Sequence, residues 1–543
     1  MREKTYFCEL KNQDYYLTKM KKIFYLVAVS LLMSSCLKDR AFEAYNEDFV
    51  SVFGDTDPLH TWKMVENQSV EVNLDKPSRV KIYVKAENSF RLAADYENVS
   101  GTQNLTYDAP MGCEDILVTV DGVPSQGVNS RVDSRASDVI YCDGYEDLTF
   151  DQVKGYYNNF RRTSGNLLPE EVDNRDKVTF IDYKFVSNGG TYTFYPIYWG
   201  GSFYHSYGLY YYNGDQIEEI TFIKNHKDPN EGLLQYEESE NNWVSITGHF
   251  AYDQFFNTSG NYQSTKFQSK CFQFTLPIGT VFGFYVDIKD NSLNDKGRYY
   301  SEAELNTTNQ NSAFAYYYKS ENISYITVED KFDDNDYNDF VFVLEGTPTP
   351  VVKDPIKYIY AVEDLGGTND FDFNDVVFSV SHINGQPKAT VQPLAAGGIY
   401  PAQIYFNGEA CGEELHKMFG KTTTKVLVNT KAGTTKKSMV KAEAFEVPVD
   451  INWSQTATKY GESGNGFSVR VDIPDRVDKE VFTCDPGTHA APQMLVLSED
   501  WLWPTETTRI SDAYPGFETW GKKYTEKTWA KTYNSKKVVN WKE

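Results

Sequence analysis

Val362-Glu363-Asp364-Leu365-Gly366-Gly367-Thr368-Asn369-Asp370-Phe371-Asp372-Phe373-Asn374-Asp375-Val376-Val377-Phe378 repeats an acidic phrase already spelled by Val328-Glu329-Asp330-Lys331-Phe332-Asp333-Asp334-Asn335-Asp336-Tyr337-Asn338-Asp339-Phe340-Val341-Phe342. Both copies open on an apolar run ending in Glu-Asp, and both close on Asp-x-Asp-aromatic-Asn-Asp before more apolar residues. The second copy carries two extra residues in its middle. In an extended chain, Asp334, Asp336 and Asn338 point to one side and Tyr337 to the other; Asp370, Asp372 and Asn374 alternate likewise with Phe371 and Phe373. Oxygen side chains therefore converge on one face while aromatic rings anchor the other.

Carboxylates packed this closely repel one another unless a cation lies among them. Hard oxygen ligands without Cys or His point to Ca²⁺, which takes roughly 6–8 oxygens at about 2.3–2.6 Å. The candidate ligands are Glu363, Asp364, Asp370, Asp372, Asn374 and Asp375, with Glu329, Asp330, Asp334, Asp336, Asn338 and Asp339 in the first copy. An EF-hand is excluded: its sixth position is Gly, whereas Asp339 or Asp375 stands there, and a strand-like run follows instead of a helix. The competing reading is a solvated acidic turn between two strands.

The amino-terminal region predicts export. Met20-Lys21-Lys22 opens a positive segment, Ile23 to Met33 is apolar, and Ser34-Ser35-Cys36 follows, the pattern of a lipoprotein leader too short to span a membrane. Residues 1–19 read as a misplaced start, with translation beginning at Met20 and lipidation at Cys36. Met33 and Ser35 depart from the usual residues before such a cysteine. The expected partner is thus a membrane, met through lipid, in an outer-membrane setting, with surface display as the extension of that reading. Removing residues 1–35 takes away six Lys/Arg and three Asp/Glu, moving the net charge from −24 to −27. That balance argues against nucleic acid, whose phosphates need clustered Lys and Arg.

An aromatic content of 15% with frequent Gly, Asn and Asp turns predicts a mainly β chain of tandem antiparallel, jelly-roll-like sandwiches with few short helices. The expected layout is a tether at 36–50, a small sandwich at 51–128, a linker with a helix at Phe150 to Phe160 within 129–170, a sandwich at 171–346, a proline linker at 347–355, and a last β-domain at 356–543. Position alone pairs Cys113 with Cys142 and Cys411 with Cys484. Tyr195, Tyr198, Trp199, Phe203, Tyr204 and Tyr207 form either core or a glycan platform, with Tyr198, Trp199 and Tyr204 the candidate stacking rings. Five tryptophans in the last 45 residues predict a packed aromatic closure built on a helical turn.

The second acidic phrase, together with Ala396-Gly397-Gly398, Glu414-Leu415-His416 and Ala513-Tyr514-Pro515-Gly516-Phe517…Trp520, resembles the LruC-type domain of Bacteroidota envelope lipoproteins over roughly 356–543. The preceding segment, from Tyr299-Tyr300-Ser301 through Asp339, resembles a related exported β-domain with the same acidic signature. Both resemblances imply location and fold, with no assigned activity. Seven scattered His and the absence of Gly-x-Ser-x-Gly, His-Glu-x-x-His or a phosphate loop speak against an enzyme, although abundant paired acids leave a glycosidase pair as a third reading. The leading expectation is a calcium-stabilised, lipid-anchored surface lipoprotein with an adhesive or structural role; the alternative is a glycan-binding lipoprotein of an uptake system.

Overall fold

The computed structural model describes residues 43–542 apart from 126–138, 154, 156–179, 200–202, 226–227, 229–230, 239–240, 247–265, 290–291, 308–313, 321–322, 330–339, 365–368, 458–465, 475, 477–479, 486 and 488–489. The chain is mainly β, with several antiparallel sheets and only short helices. It divides into two units: the described residues up to Asn67 with Lys357–His382 and Pro387–Glu543, and Gln68–Ile356 with Ile383–Gln386.

In the second of these, two large sheets face each other. One has its strands in the order Gln216–Ile223, Tyr204–Asn213, Val281–Lys289, Tyr183–Val186, Thr349–Pro355, Ser89–Pro110, Val65–Ala86, Ile116–Val120 and Val123–Pro124. The other runs through Lys266–Thr275, Thr191–Trp199, Phe340–Glu345 and Ile323–Val328. Inward-pointing rings close the gap: Phe194 stacks on Phe284 at 4.7 Å, and Tyr207 meets Phe342 edge-on at 4.8 Å. Alternating aromatics supply this layer, because every second residue of a strand faces the opposing sheet.

Several boundaries differ from the sequence layout. The strands Val65–Ala86, Ser89–Pro110, Ile116–Val120 and Val123–Pro124 share a single sheet with Tyr183–Val186, Tyr204–Asn213 and Val281–Lys289, so the two expected sandwiches are one body. Thr349–Pro355, expected as a linker, is a strand that buries Val351 and Val352 and pairs antiparallel with Tyr183–Val186. Ile140–Thr149, inside the other expected linker, pairs residue for residue with Lys266–Thr275. Helix begins at Phe150 as expected, while 156–160 lie outside the described residues. The five cysteines from Cys113 onward are free thiols, so neither expected disulfide forms. Cys484 is buried with its Sγ 2.7 Å from Ala491 O, and Cys411 is held at a strand end near Glu409 O.

The other unit is a smaller sandwich. Its five-stranded sheet has the order Phe445–Pro448, Lys388–Ala395, Val376–His382, Lys357–Val362, Met494–Ser498, and its four-stranded sheet Glu409–Cys411, Ala402–Phe406, Phe467–Val471, Glu480–Val481. Tyr360 stacks on Phe378 at 4.9 Å in the first sheet, and Phe467 of the second packs on both. A helix over residues 43–53 also belongs to this unit, through Phe49, Phe53 and the following Trp62, all buried. The carboxyl-terminal closure contains the helices Ile510–Ala513 and Phe517–Lys522, with Trp520 stacked on Trp529 at 4.7 Å and Trp503 on Trp541 at 5.7 Å. No helix of the described residues is long and apolar enough to cross a membrane.

Candidate metal centre

The two acidic phrases occupy the same kind of place. Val328 pairs with Phe340 and Val362 with Val376, so each phrase is the loop of a β-hairpin. The two extra residues of the second copy lengthen its loop and leave the flanking strand pairing intact. Of the first copy, Glu329 is buried, while Asp330, Asp334, Asp336, Asn338 and Asp339 lie outside the described residues. Gly366 and Gly367 of the second copy also lie outside them.

The loop from Glu363 to Asp375 is not extended, contrary to the simple alternation expected. Asn369, Phe371 and Phe373 have φ of +40°, +53° and +52°, a left-handed turn at every second residue. This conformation aims successive backbone N–H groups at one point. Phe371 N donates to Glu363 Oε1 at 3.2 Å and Phe373 N to Oε2 at 3.1 Å, so Glu363 holds the loop from the preceding strand end. The opposite faces of the loop still separate oxygen from ring. Phe371 and Phe373 are buried, and Phe371 meets Tyr45, Phe49 and Phe53 of the 43–53 helix at 5.4–5.6 Å.

Oxygens of Glu363, Asp370 and Asp372 lie within 4.8 Å of one another, with Glu363 and Asp372 buried and Asp370 half-buried. Asp372 Oδ1 accepts from Asn374 N at 3.1 Å, and its Oδ2 accepts from Thr507 N at 2.9 Å. Ile510 N donates to Phe371 O at 2.8 Å, so the carboxyl-terminal closure grips the loop by its backbone. Of the expected ligands, Glu363 thus stands with Asp370 and Asp372, and Asn374 donates its Nδ2 to Pro504 O at 3.0 Å. Asp375 Oδ2 accepts from Asp364 N at 2.6 Å, tying the two ends of the loop together.

Burial and mutual repulsion set the charge state here. Glu363 is pushed up from 4.5 to about 8, first by burial and then by Asp370 and Asp364. Burial, then the Glu363 charge, raises Asp372 well above the usual range; Asp375 is raised likewise by burial and then Asp364. Asp370 is raised more modestly by burial, with Arg509 acting against the rise. Among the described residues no Lys or Arg forms an ion pair with Glu363, Asp370 or Asp372. Three oxygen ligands from carboxylates, no sulfur or imidazole and a buried setting fit a hard divalent cation.

Glu506 is the site residue that sequence spacing missed. It sits in the segment after Trp503-Pro504, accepts a hydrogen bond from Thr430 Oγ1 at 3.0 Å, and has its carboxyl raised by burial and by the charges of Asp370 and Asp364. No periodicity links it to the acidic phrase; only the fold brings it there.

The aromatic candidates fall elsewhere. Tyr195 and Tyr207 are buried core rings, Tyr204 is half-buried at the start of its strand, and Tyr198 and Trp199 lie on the strand Thr191–Trp199 with side chains outside the described residues. Comparison with known proteins finds no matching family model, no matching curated protein and no matching solved structure.

Proposed function

We propose that this chain is a calcium-stabilised β-sandwich protein of the cell envelope, lipid-anchored through Cys36, with a structural or adhesive binding role. The supporting observation is the triad of Glu363, Asp370 and Asp372, whose oxygens converge within 4.8 Å in a buried hairpin loop with no Lys or Arg paired to them among the described residues. A buried charge cluster of one sign is costly unless a counter-charge is bound. The cation would be a staple, because the loop joins the 43–53 helix, the five-stranded sheet and the carboxyl-terminal closure within one unit. The resemblance to LruC-type envelope lipoproteins supports the location in this reading. Glycan capture is the second reading: of its three candidate stacking rings, Tyr204 is half-buried, and the side chains of Tyr198 and Trp199 lie outside the described residues.

The test is a melting curve of the full chain with chelator and with excess Ca²⁺. A cation bound only by the folded loop stabilises it by about 2.7 kcal/mol at a hundredfold excess over its dissociation constant. Coincident curves, together with no calcium by elemental analysis, would return the acidic loops to solvated turns.

A further inference from the structure

We infer that the acidic hairpin loop carries a second cation position, separate from the Glu363, Asp370 and Asp372 triad, framed by Asn374 Oδ1, Glu506, Asp364 and Asp375 where the loop lies against Gly397-Gly398. The inference rests on the calcium reading of the same loop.

Asn374 is the observation that points to a ligand. It is fully buried, and although its Nδ2 donates to Pro504 O, its Oδ1 has no hydrogen-bond partner among the described residues. A buried amide oxygen left without a donor is costly, so a native fold keeps one where something else satisfies it. The neighbouring oxygens are anionic. Asn374 Oδ1 and Glu506 Oε2 lie 2.1 and 3.1 Å from the same point, the place a Cβ on Gly397 would take. The two oxygens are therefore no more than about 5.2 Å apart, within or near the span of two ligands on one ion with bonds of about 2.3–2.6 Å. On the next residue, the place of a Gly398 Cβ lies 2.9 Å from Asp364 Oδ2 and 3.4 Å from Asp375 Oδ1. A Cβ at 397 would displace Asn374 Oδ1, and one at 398 would press on Asp364 Oδ2. The glycine pair is held in place by its own N–H groups, Gly397 N donating to Asn374 O and Asp375 O and Gly398 N to Asp375 O.

The two positions draw on different carboxylates. Asp364, Asp375 and Glu506 are not part of the set whose oxygens converge within 4.8 Å. One divalent cation at the triad would offset two of the six carboxylates gathered in this loop and its cover, where Arg509 lowers the Asp370 carboxyl. A second divalent cation offsets two of the four that remain and gives Asn374 Oδ1 a partner.

The experiment is calcium titration calorimetry, with elemental analysis after gel filtration, on the full chain carrying Asp334→Ala and Asp336→Ala to keep the first acidic loop from contributing. Two equivalents of Ca²⁺, falling to one with Glu506→Gln and to one or none with Asp372→Asn, support the inference. Asn374→Ser, which shortens the amide that supplies the orphan oxygen, should weaken the same equivalent that Glu506→Gln removes, and a melting curve in chelator shows that each variant is folded. A single equivalent that survives Glu506→Gln and is lost with Asp372→Asn overturns the second position and leaves the calcium reading standing. A single equivalent lost with either variant also overturns it, since Glu506 would then share one site with the triad. No binding at all sinks both.

Discussion

The pH dependence of stability tests the charge state of Glu363 directly. Without metal its carboxyl ionises at about 8 in the folded chain, against 4.5 for the free side chain. A raised folded value means that the folded state holds the proton while the unfolded state releases it. The stabilisation is complete below 4.5 and is lost as pH rises through about 8. At about 1.4 kcal/mol per tenfold ratio, that interval corresponds to at most about 5 kcal/mol. For a unit of this size roughly 2–4 °C of melting temperature follow each kcal/mol, so the chelated protein should lose on the order of 10–20 °C between about pH 5 and about pH 8. Calcium reverses the trend, because it binds the ionised carboxylates and its affinity rises as their protons leave. The gain in melting temperature on adding Ca²⁺ should therefore grow steadily over the same interval. Differential scanning calorimetry of the full chain, in chelator and in excess Ca²⁺ at each pH, reads both slopes. Glu363→Gln carries no proton to lose, so its chelated curve should be flatter and its calcium gain smaller at every pH. An identical pH slope in the parent and in Glu363→Gln, or a calcium gain equal at both ends, would refute the reasoning.

Phe371→Ala removes the ring that meets Tyr45, Phe49 and Phe53, and should cost about 3–5 kcal/mol whether or not Ca²⁺ is present, measured by denaturant unfolding. His60 is buried and neutral, its Nδ1 accepting from Trp62 N while Nε2 donates to Trp520 O, and burial lowers it from 6.5 to about 4. Its contribution is complete above 6.5 and is lost as pH falls toward about 4, so His60→Gln should flatten the acid side of the same calorimetric profile. Cys36→Ala should release the protein from the membrane fraction; protein still sedimenting with carbonate-washed membranes would refute lipid anchoring through Cys36.

The β class, the duplication and the aromatic closure are all legible in the sequence, because strand alternation, turn residues and repeated spacing are local signals. The acid-rich phrase likewise names Glu363, Asp364, Asp370, Asp372, Asn374 and Asp375 as candidate ligands without any fold. What the chain order conceals is which of its acids meet. The extended alternation expected for the loop fails because Asn369, Phe371 and Phe373 turn left-handed, folding the backbone around the Glu363 carboxylate. Glu506 comes from 131 positions after Asp375, brought in by the packing of the carboxyl-terminal closure and not by any period. Gly397 and Gly398 look like an ordinary turn until the fold presses them against Asn374 and Asp364. The domain boundaries were hidden for the same reason: Phe49, Phe53 and Trp62 join the carboxyl-terminal unit by burying their rings, and a Pro-rich segment becomes a strand because its valines are needed inside. Residue type and spacing determine the chemistry a segment can offer, while burial of distant apolar side chains determines which chemistries share a site.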